Sequence, residues 1–277
     1  MRIARFGDVG SEKVGLLDGA GVLRDASAVA ADITPATLAA GALAALREAD
    51  PETLPLAPDG ARIGACVAES RNFIAIGTNY SDAIKPGATA PTEPVVFNKA
   101  PSCIVGPYDD VILPEGSTRT DWEVEFAIVI GARAWRVSPE QARDHIAGYC
   151  ICHDLSEREY QFDRGGTWTK GKGFPTFGPL GPWLVTPDEI DMTTVNLWLS
   201  VNGQSKQAGS TRTLLFSPET LVSYLSRIMI LQPGDVITTG TPPAVGDGPK
   251  AYLKDGDVVT LGITGLGEQR QRVRAFS

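Results

Sequence analysis

Thr120-Asp121-Trp122-Glu123-Val124-Glu125-Phe126-Ala127-Ile128-Val129-Ile130 is the stretch on which the reading of this chain turns. Its apolar run is strand-like, and Glu123 and Glu125 are two positions apart. Alternation along a strand sends both carboxylates to the same side. Two like charges side by side at the head of a buried strand are costly unless something neutralises them. A hard divalent cation does so, because such ions prefer carboxylate oxygens. Taken alone, the pair reads as the solvated face of an edge strand. A second apolar run then ends in charge, Tyr149-Cys150-Ile151-Cys152-His153-Asp154. If the two strands pair, Asp154 completes a three-carboxylate site, which favours the metal.

Working outward, Phe73 to Gly77, Val95 to Phe97 and Val236 to Thr238 are short strand-like runs broken by Gly and Pro. Ser138 to Ile146 reads as a helix, with Ser138 as N-cap and Pro139 at the first helical position. Pro218 to Met229 reads as another. Strands dominate and no regular strand–helix alternation appears, which disfavours dinucleotide-binding and TIM-barrel folds. The expectation is a mixed, β-rich α+β fold. Residues 1–68 read as a small N-terminal α/β domain. It has strands at Arg2 to Phe6 and Lys13 to Leu17 around the turn Gly10-Ser11-Glu12, and a helix at Leu38 to Ala49. The loop Leu54 to Gly60, rich in Pro, Asp and Gly, precedes the boundary with a catalytic domain at 69–277.

The chain has 277 residues, 43% hydrophobic and 21% charged, the balance of an ordinary globular protein. Its net charge is −8 and its pI about 4.9. With no clustered lysines and arginines, nucleic acid is not the expected partner. No apolar run reaches the roughly 20 residues of a membrane helix. The opening Met1 to Phe6 lacks the long apolar stretch of a secretion signal, so the expected location is the cytoplasm. The four cysteines (Cys66, Cys103, Cys150 and Cys152) lack the companion spacing of a zinc site and read as buried thiols.

Four motifs carry a resemblance. DWEVEFAIVIG (121–131), HDLSER (153–158), WTKGKGF (168–174) and PGDVITTGTP (233–242) together resemble the fumarylacetoacetate hydrolase family, in order, over residues 70 to 275. The resemblance implies a β-roll fold and Mg²⁺ or Mn²⁺ on Glu123, Glu125 and Asp154. It also implies an active-site lysine at Lys172, a threonine for the substrate carboxylate at Thr241, and a polar side chain near the reacting carbonyl at Gln161. A homodimer acting on a small 2-oxo acid is implied as well. Within the family the chain resembles the 2,4-diketo-3-deoxy-L-rhamnonate and L-fuconate hydrolases. That branch implies cleavage of a C–C bond to pyruvate and a small hydroxy acid. The alternatives are a member similar to oxaloacetate decarboxylases or ureidoglycolate lyases, or a non-catalytic oxo-acid binding protein.

The sequence departs from the family at the lid motif N-Y-x-x-H-x-x-E, whose His and Glu activate water. Here Asn79-Tyr80-Ser81-Asp82-Ala83-Ile84-Lys85-Pro86 puts Ala83 at the histidine and Pro86 at the glutamate. The replacement candidates are His153, Asp82 on the lid, or activation by the metal alone. Strand alternation points His153 away from its neighbour's face, unless the chain bends there. Lys85 is a candidate substrate contact, though a solvated loop lysine is its ordinary reading. His145, on the expected helix, reads as a surface or packing residue.

Overall fold

The computed structural model describes residues 1–245 and 251–276. The strand Val124–Ile130 is buried at every position, and so is its antiparallel neighbour Ile146–His153. Such strands are covered on both faces, which is why they read as continuous apolar runs rather than alternating ones. They form the middle of the larger sheet. Outward from Ile146–His153 come Gly178–Val185, Arg2–Phe6, Lys13–Leu17 and Leu23–Asp25. Outward from Val124–Ile130 come Val236–Thr238, Phe73–Gly77 and Val95–Lys99. Strand Phe73–Gly77 runs parallel to Val236–Thr238.

A second sheet of five strands runs Gln204–Ser210, Asn196–Val201, Val258–Ile263, Gly267–Arg274, Val111–Ile112. Gly267–Arg274 alternates buried and exposed residues, as a strand with one covered face must. Its inward glutamines, Gln269 and Gln271, reach the first sheet: Gln269 donates to the Ile151 carbonyl at 2.9 Å. The two sheets pack across this seam, giving the mixed, β-rich α+β architecture expected above. The N-terminal strands extend the large sheet, since Arg2–Phe6 pairs antiparallel with Gly178–Val185.

Local structure departs from expectation in two helices. The helix expected over Leu38 to Ala49 is two helices, Pro35–Ala39 and Ala42–Glu48. Between them Gly41 adopts φ +91°, a left-handed conformation that stops the first helix. Ser138 caps its helix as expected, in a capping box with Gln141. That helix ends at Ala142, a 3₁₀ turn follows, and Ile146 already belongs to the strand. Helix Pro218–Ile228 starts behind the Ser217 cap and packs Leu221, Val222 and Leu225 inward. All four cysteines are buried free thiols. Among the described residues no helix is long and apolar enough to cross a membrane.

Candidate metal centre

Register brings the carboxylates together. Glu125 pairs with Cys152 and Val124 with His153, and beyond the strand end the Asp154 amide donates to the Glu123 carbonyl at 2.9 Å. Asp154 thus leaves its strand beside Glu123. One carboxylate oxygen from each of Glu123, Glu125 and Asp154 lies within 4.8 Å of the others. Glu125 and Asp154 are buried, and Glu123 keeps a little exposure to the cavity. The tight turn after Val236–Thr238 adds a backbone donor, the Gly240 amide, 2.9 Å from Glu125 Oε2. Gly240 has φ +90°, and a Cβ there would press on Asn79 Cβ at 3.1 Å and the Ile76 carbonyl at 3.2 Å.

Three cations surround the cluster. Arg158, opening the helix Arg158–Phe162, reaches Glu123 Oε1 at 2.6 Å and Asp121 Oδ2 at 2.7 Å. Lys172, ending the helix Trp168–Lys172, bridges Glu123 Oε2 at 2.5 Å and Asp154 Oδ2 at 2.7 Å. Lys99 lies 2.6 Å from Asp154 Oδ1. Burial works against the charge on Glu123, but Arg158 and Lys172 outweigh it and bring its pKa down to about 2. Glu125 goes the other way. Burial, then the like charges of Asp154 and Glu123, push its pKa well above the ordinary carboxylate range. It is the member of the cluster whose charge the protein leaves unmatched. Three convergent oxygen donors with no nitrogen or sulfur among them suit a hard divalent ion, so the donor set fits Mg²⁺ or Mn²⁺.

Glu123 and Glu125 open on a cavity of about 210 Å³, whose wall also includes Arg158, Gln161, Lys172 and Thr241, with Asp154 buried behind them. Phe97 and Trp168 form its apolar side, with ring centroids 5.0 Å apart. A wider pocket of about 430 Å³ continues outward past Trp122, Lys206 and Pro242, sharing Glu123, Arg158 and Thr241. Gln161 is buried and its Oε1 accepts from Arg158 Nη1 at 2.8 Å. Thr241 Oγ1 donates to the Val124 carbonyl and accepts from Gln207 Nε2, each at 2.8 Å.

Lys172, Gln161 and Thr241 therefore stand with the three carboxylates, and three other candidates stand apart. Asp82 is exposed on the 3₁₀ turn Ser81–Ala83, where its Oδ1 accepts from Thr213 Oγ1 at 3.1 Å. Ala83, not Asp82, lines the cavity. Lys85 is exposed beyond that turn and off the described cavity wall. His153 shares the face of Val124 rather than that of Glu125, as alternation dictates, and is fully buried. Its Nδ1 meets Gln271 Oε1 at 3.0 Å in the seam between the sheets. Burial pushes its pKa down to about 4, so the ring is neutral near pH 7.

His153→Ala is accordingly expected to act on stability. Losing a buried hydrogen bond and ring volume costs about 2–4 kcal/mol. Differential scanning calorimetry should show a lower Tm, with kcat within about threefold of the parent; a hundredfold loss of kcat, the scale of a missing general base, would return His153 to the chemistry.

Reasoning from sequence did not single out Arg158, Lys99, Gln207 or the Gly240 amide. Arg158 had a signal in hand, since it follows Asp154 in the same motif. The others are distant in sequence and meet the cluster only through the fold.

The profile of the fumarylacetoacetate (FAA) hydrolase C-terminal region matches residues 65–274. A Burkholderia cenocepacia protein named no more specifically than as a hydrolase is 54% identical over 99% of both chains. The solved fumarylacetoacetate hydrolase of Exiguobacterium antarcticum is 34% identical, with a TM-score of 0.89 over all of both chains. The maleylpyruvate hydrolase of Sphingobium sp. SYK-6, solved with manganese(II) and pyruvate, is 28% identical, with a TM-score of 0.83 over all of both chains. With three quarters of its length matched by the family profile and its whole length by solved relatives, the chain belongs to the fumarylacetoacetate hydrolase family.

Proposed function

We propose that this protein hydrolyses a C–C bond of a 2,4-dioxo acid, giving pyruvate and a second small acid, with Mg²⁺ or Mn²⁺ held by Glu123, Glu125 and Asp154. The observation that carries the reading is the buried three-carboxylate cluster opening on a cavity beside the Lys172 ammonium. The relative solved with manganese(II) and pyruvate supports both the kind of metal and the 2-oxo acid. Held by Glu123, Glu125 and Asp154, such a cation would supply Lewis acidity toward the substrate's oxygens.

The chain's own groups do the rest. Lys172 donates to the oxygen on which enolate charge gathers as the C–C bond breaks. Gln161 has its carbonyl oxygen taken by Arg158, which leaves its amide hydrogens for the substrate carbonyl. Thr241 borders the substrate carboxylate. Phe97 and Trp168 keep bulk water from the reacting carbons.

The sequence resemblance to 2,4-diketo-3-deoxy sugar acid hydrolases makes the L-rhamnonate and L-fuconate derivatives the first substrates to try. Incubation with Mn²⁺ and lactate-dehydrogenase-coupled detection should give one pyruvate for each 2,4-dioxo acid consumed. Absence of turnover across sugar-acid, acyl and dicarboxylic 2,4-dioxo acids would defeat the hydrolase reading. A second reading has an observation of its own: no histidine lines the described cavity, and Ala83 occupies the lid position. Decarboxylation of oxaloacetate needs no activated water and also yields pyruvate, so CO₂ release separates the two. We further propose a homodimer; light scattering should give a particle of twice the 29.4 kDa chain mass, and a 29.4 kDa particle would refute it.

A further inference from the structure

Lys99 ends the strand Val95–Lys99, and its side chain is wholly enclosed. Its ammonium has three hydrogens and meets three oxygens: Asp154 Oδ1 at 2.6 Å, the Lys172 carbonyl at 2.5 Å and the Leu155 carbonyl at 3.4 Å. It also lies over the Phe73 ring, 5.6 Å from the centroid. Burial disfavours an ammonium here, yet the Asp154 carboxylate against it more than compensates, and its pKa stands above the ordinary lysine value.

Two lysines therefore divide Asp154 between them. Lys172 takes Oδ2 and joins it to Glu123 Oε2, which marks Oδ2 as the oxygen on the cluster's side. Lys99 takes Oδ1 from behind. Through the Lys172 carbonyl, the same ammonium also fastens the end of the helix that presents the Lys172 side chain. One buried group thus touches a carboxylate ligand, the residue after it and the backbone of the active-site lysine.

We propose that Lys99 is a positioning residue of the metal centre: it pins Asp154 by one oxygen so that the other stays turned to Glu123 and Glu125, and it holds the Lys172 helix end in the same frame. The proposal rests on the metal-binding reading above. It also makes a prediction of sign. By charge alone, a fixed cation behind a ligand carboxylate weakens that ligand's hold on a divalent ion, so removing it should tighten binding. By positioning, removing it frees the carboxylate to rotate, and binding should weaken.

Lys99→Met removes both charge and donors at similar length; Lys99→Gln keeps two donors without the charge. Mn²⁺ affinity is read by electron paramagnetic resonance of the free ion, with no substrate present, and folding by cooperative thermal unfolding of each metal-free variant. Lys99→Met is expected to bind Mn²⁺ at least ~10-fold more weakly than the parent, the scale of losing an outer partner of a metal ligand. Lys99→Gln should fall between the two. A folded variant that binds Mn²⁺ as tightly as the parent, or more tightly, overturns the proposal. So does failure of both variants to unfold cooperatively, because Lys99 would then serve folding rather than the site. Failure of the parent itself to bind Mn²⁺ would instead remove the metal-binding reading beneath it.

Discussion

Glu125→Gln is expected to remove divalent-metal binding while making the metal-free protein more stable. The two effects have one cause. Glu125 is buried, and Asp154 and Glu123 stand beside it with like charge. Its direct hydrogen bond comes from a neutral donor, the Gly240 amide. Glutamine has the same shape and keeps an oxygen for that amide, so the substitution deletes an unmatched charge and little else. A metal held by three carboxylates loses one of them, and affinity should fall by at least ~100-fold, beyond what outer partners of a ligand contribute. Isothermal titration with Mn²⁺ reads the loss, and calorimetry of the metal-free protein reads the gain in Tm. Unchanged Mn²⁺ affinity would remove Glu125 from the metal site.

The pH dependence follows the same group. Because the folded-state pKa of Glu125 lies above its unfolded value, the native metal-free protein holds more protons than the unfolded chain in the window between them. Stability therefore falls as pH rises through that window, from the ordinary glutamate pKa upward. The stabilising contribution of the protonated form is complete below it. Glu125→Gln should flatten this part of the stability profile, and added Mn²⁺ should do the same for the parent.

Lys172→Ala is expected to lower kcat by about 10²-fold or more, the scale of losing one donor to a developing oxyanion. Its ammonium is enclosed, bridges Glu123 and Asp154, and lines the cavity beside Glu123 and Glu125. The variant should still bind Mn²⁺, since the three carboxylates remain and one competing cation has gone. Unchanged kcat would refute the assignment. Borohydride treatment with pyruvate should leave Lys172 unmodified, because a site with its own Lewis acid has no need of a Schiff base; a reduced adduct would replace the donor role with a nucleophilic one. Lys170 shares the short helix, but its Nζ donates to the Arg164 carbonyl at the surface. Its substitution should leave kcat within a fewfold of the parent.

How much of this was legible beforehand depends on the range over which each feature is decided. Period-two alternation is a property of a single strand. It was enough to point His153 away from the face of Glu125, and the structure finds it against Gln271. The apolar run 124–130 and the Ser138 N-cap are equally local and formed as read. The break at Gly41 is local too, but Ala and Leu on either side gave a helical period that masked one left-handed residue.

The meeting of Asp154 with Glu123 and Glu125 is different in kind. The sequence by itself determined three acidic residues at strand ends and the side on which each would lie. Whether those ends met depended on the antiparallel register that sets Cys152 opposite Glu125, and register is fixed by pairing energies summed over whole strands. Lys99 reaches Asp154 from a strand on the far flank of the same sheet, and Gln207 supports Thr241 from the other sheet. Gly240 offers its amide because the chain turns there at a positive φ beneath Asn79. Only the tertiary structure decided these, because each depends on burial and on contact between segments that no spacing along the chain records. The sequence named the charges that a cation must reconcile; the fold decided which of them were already matched and left Glu125 as the one that was not.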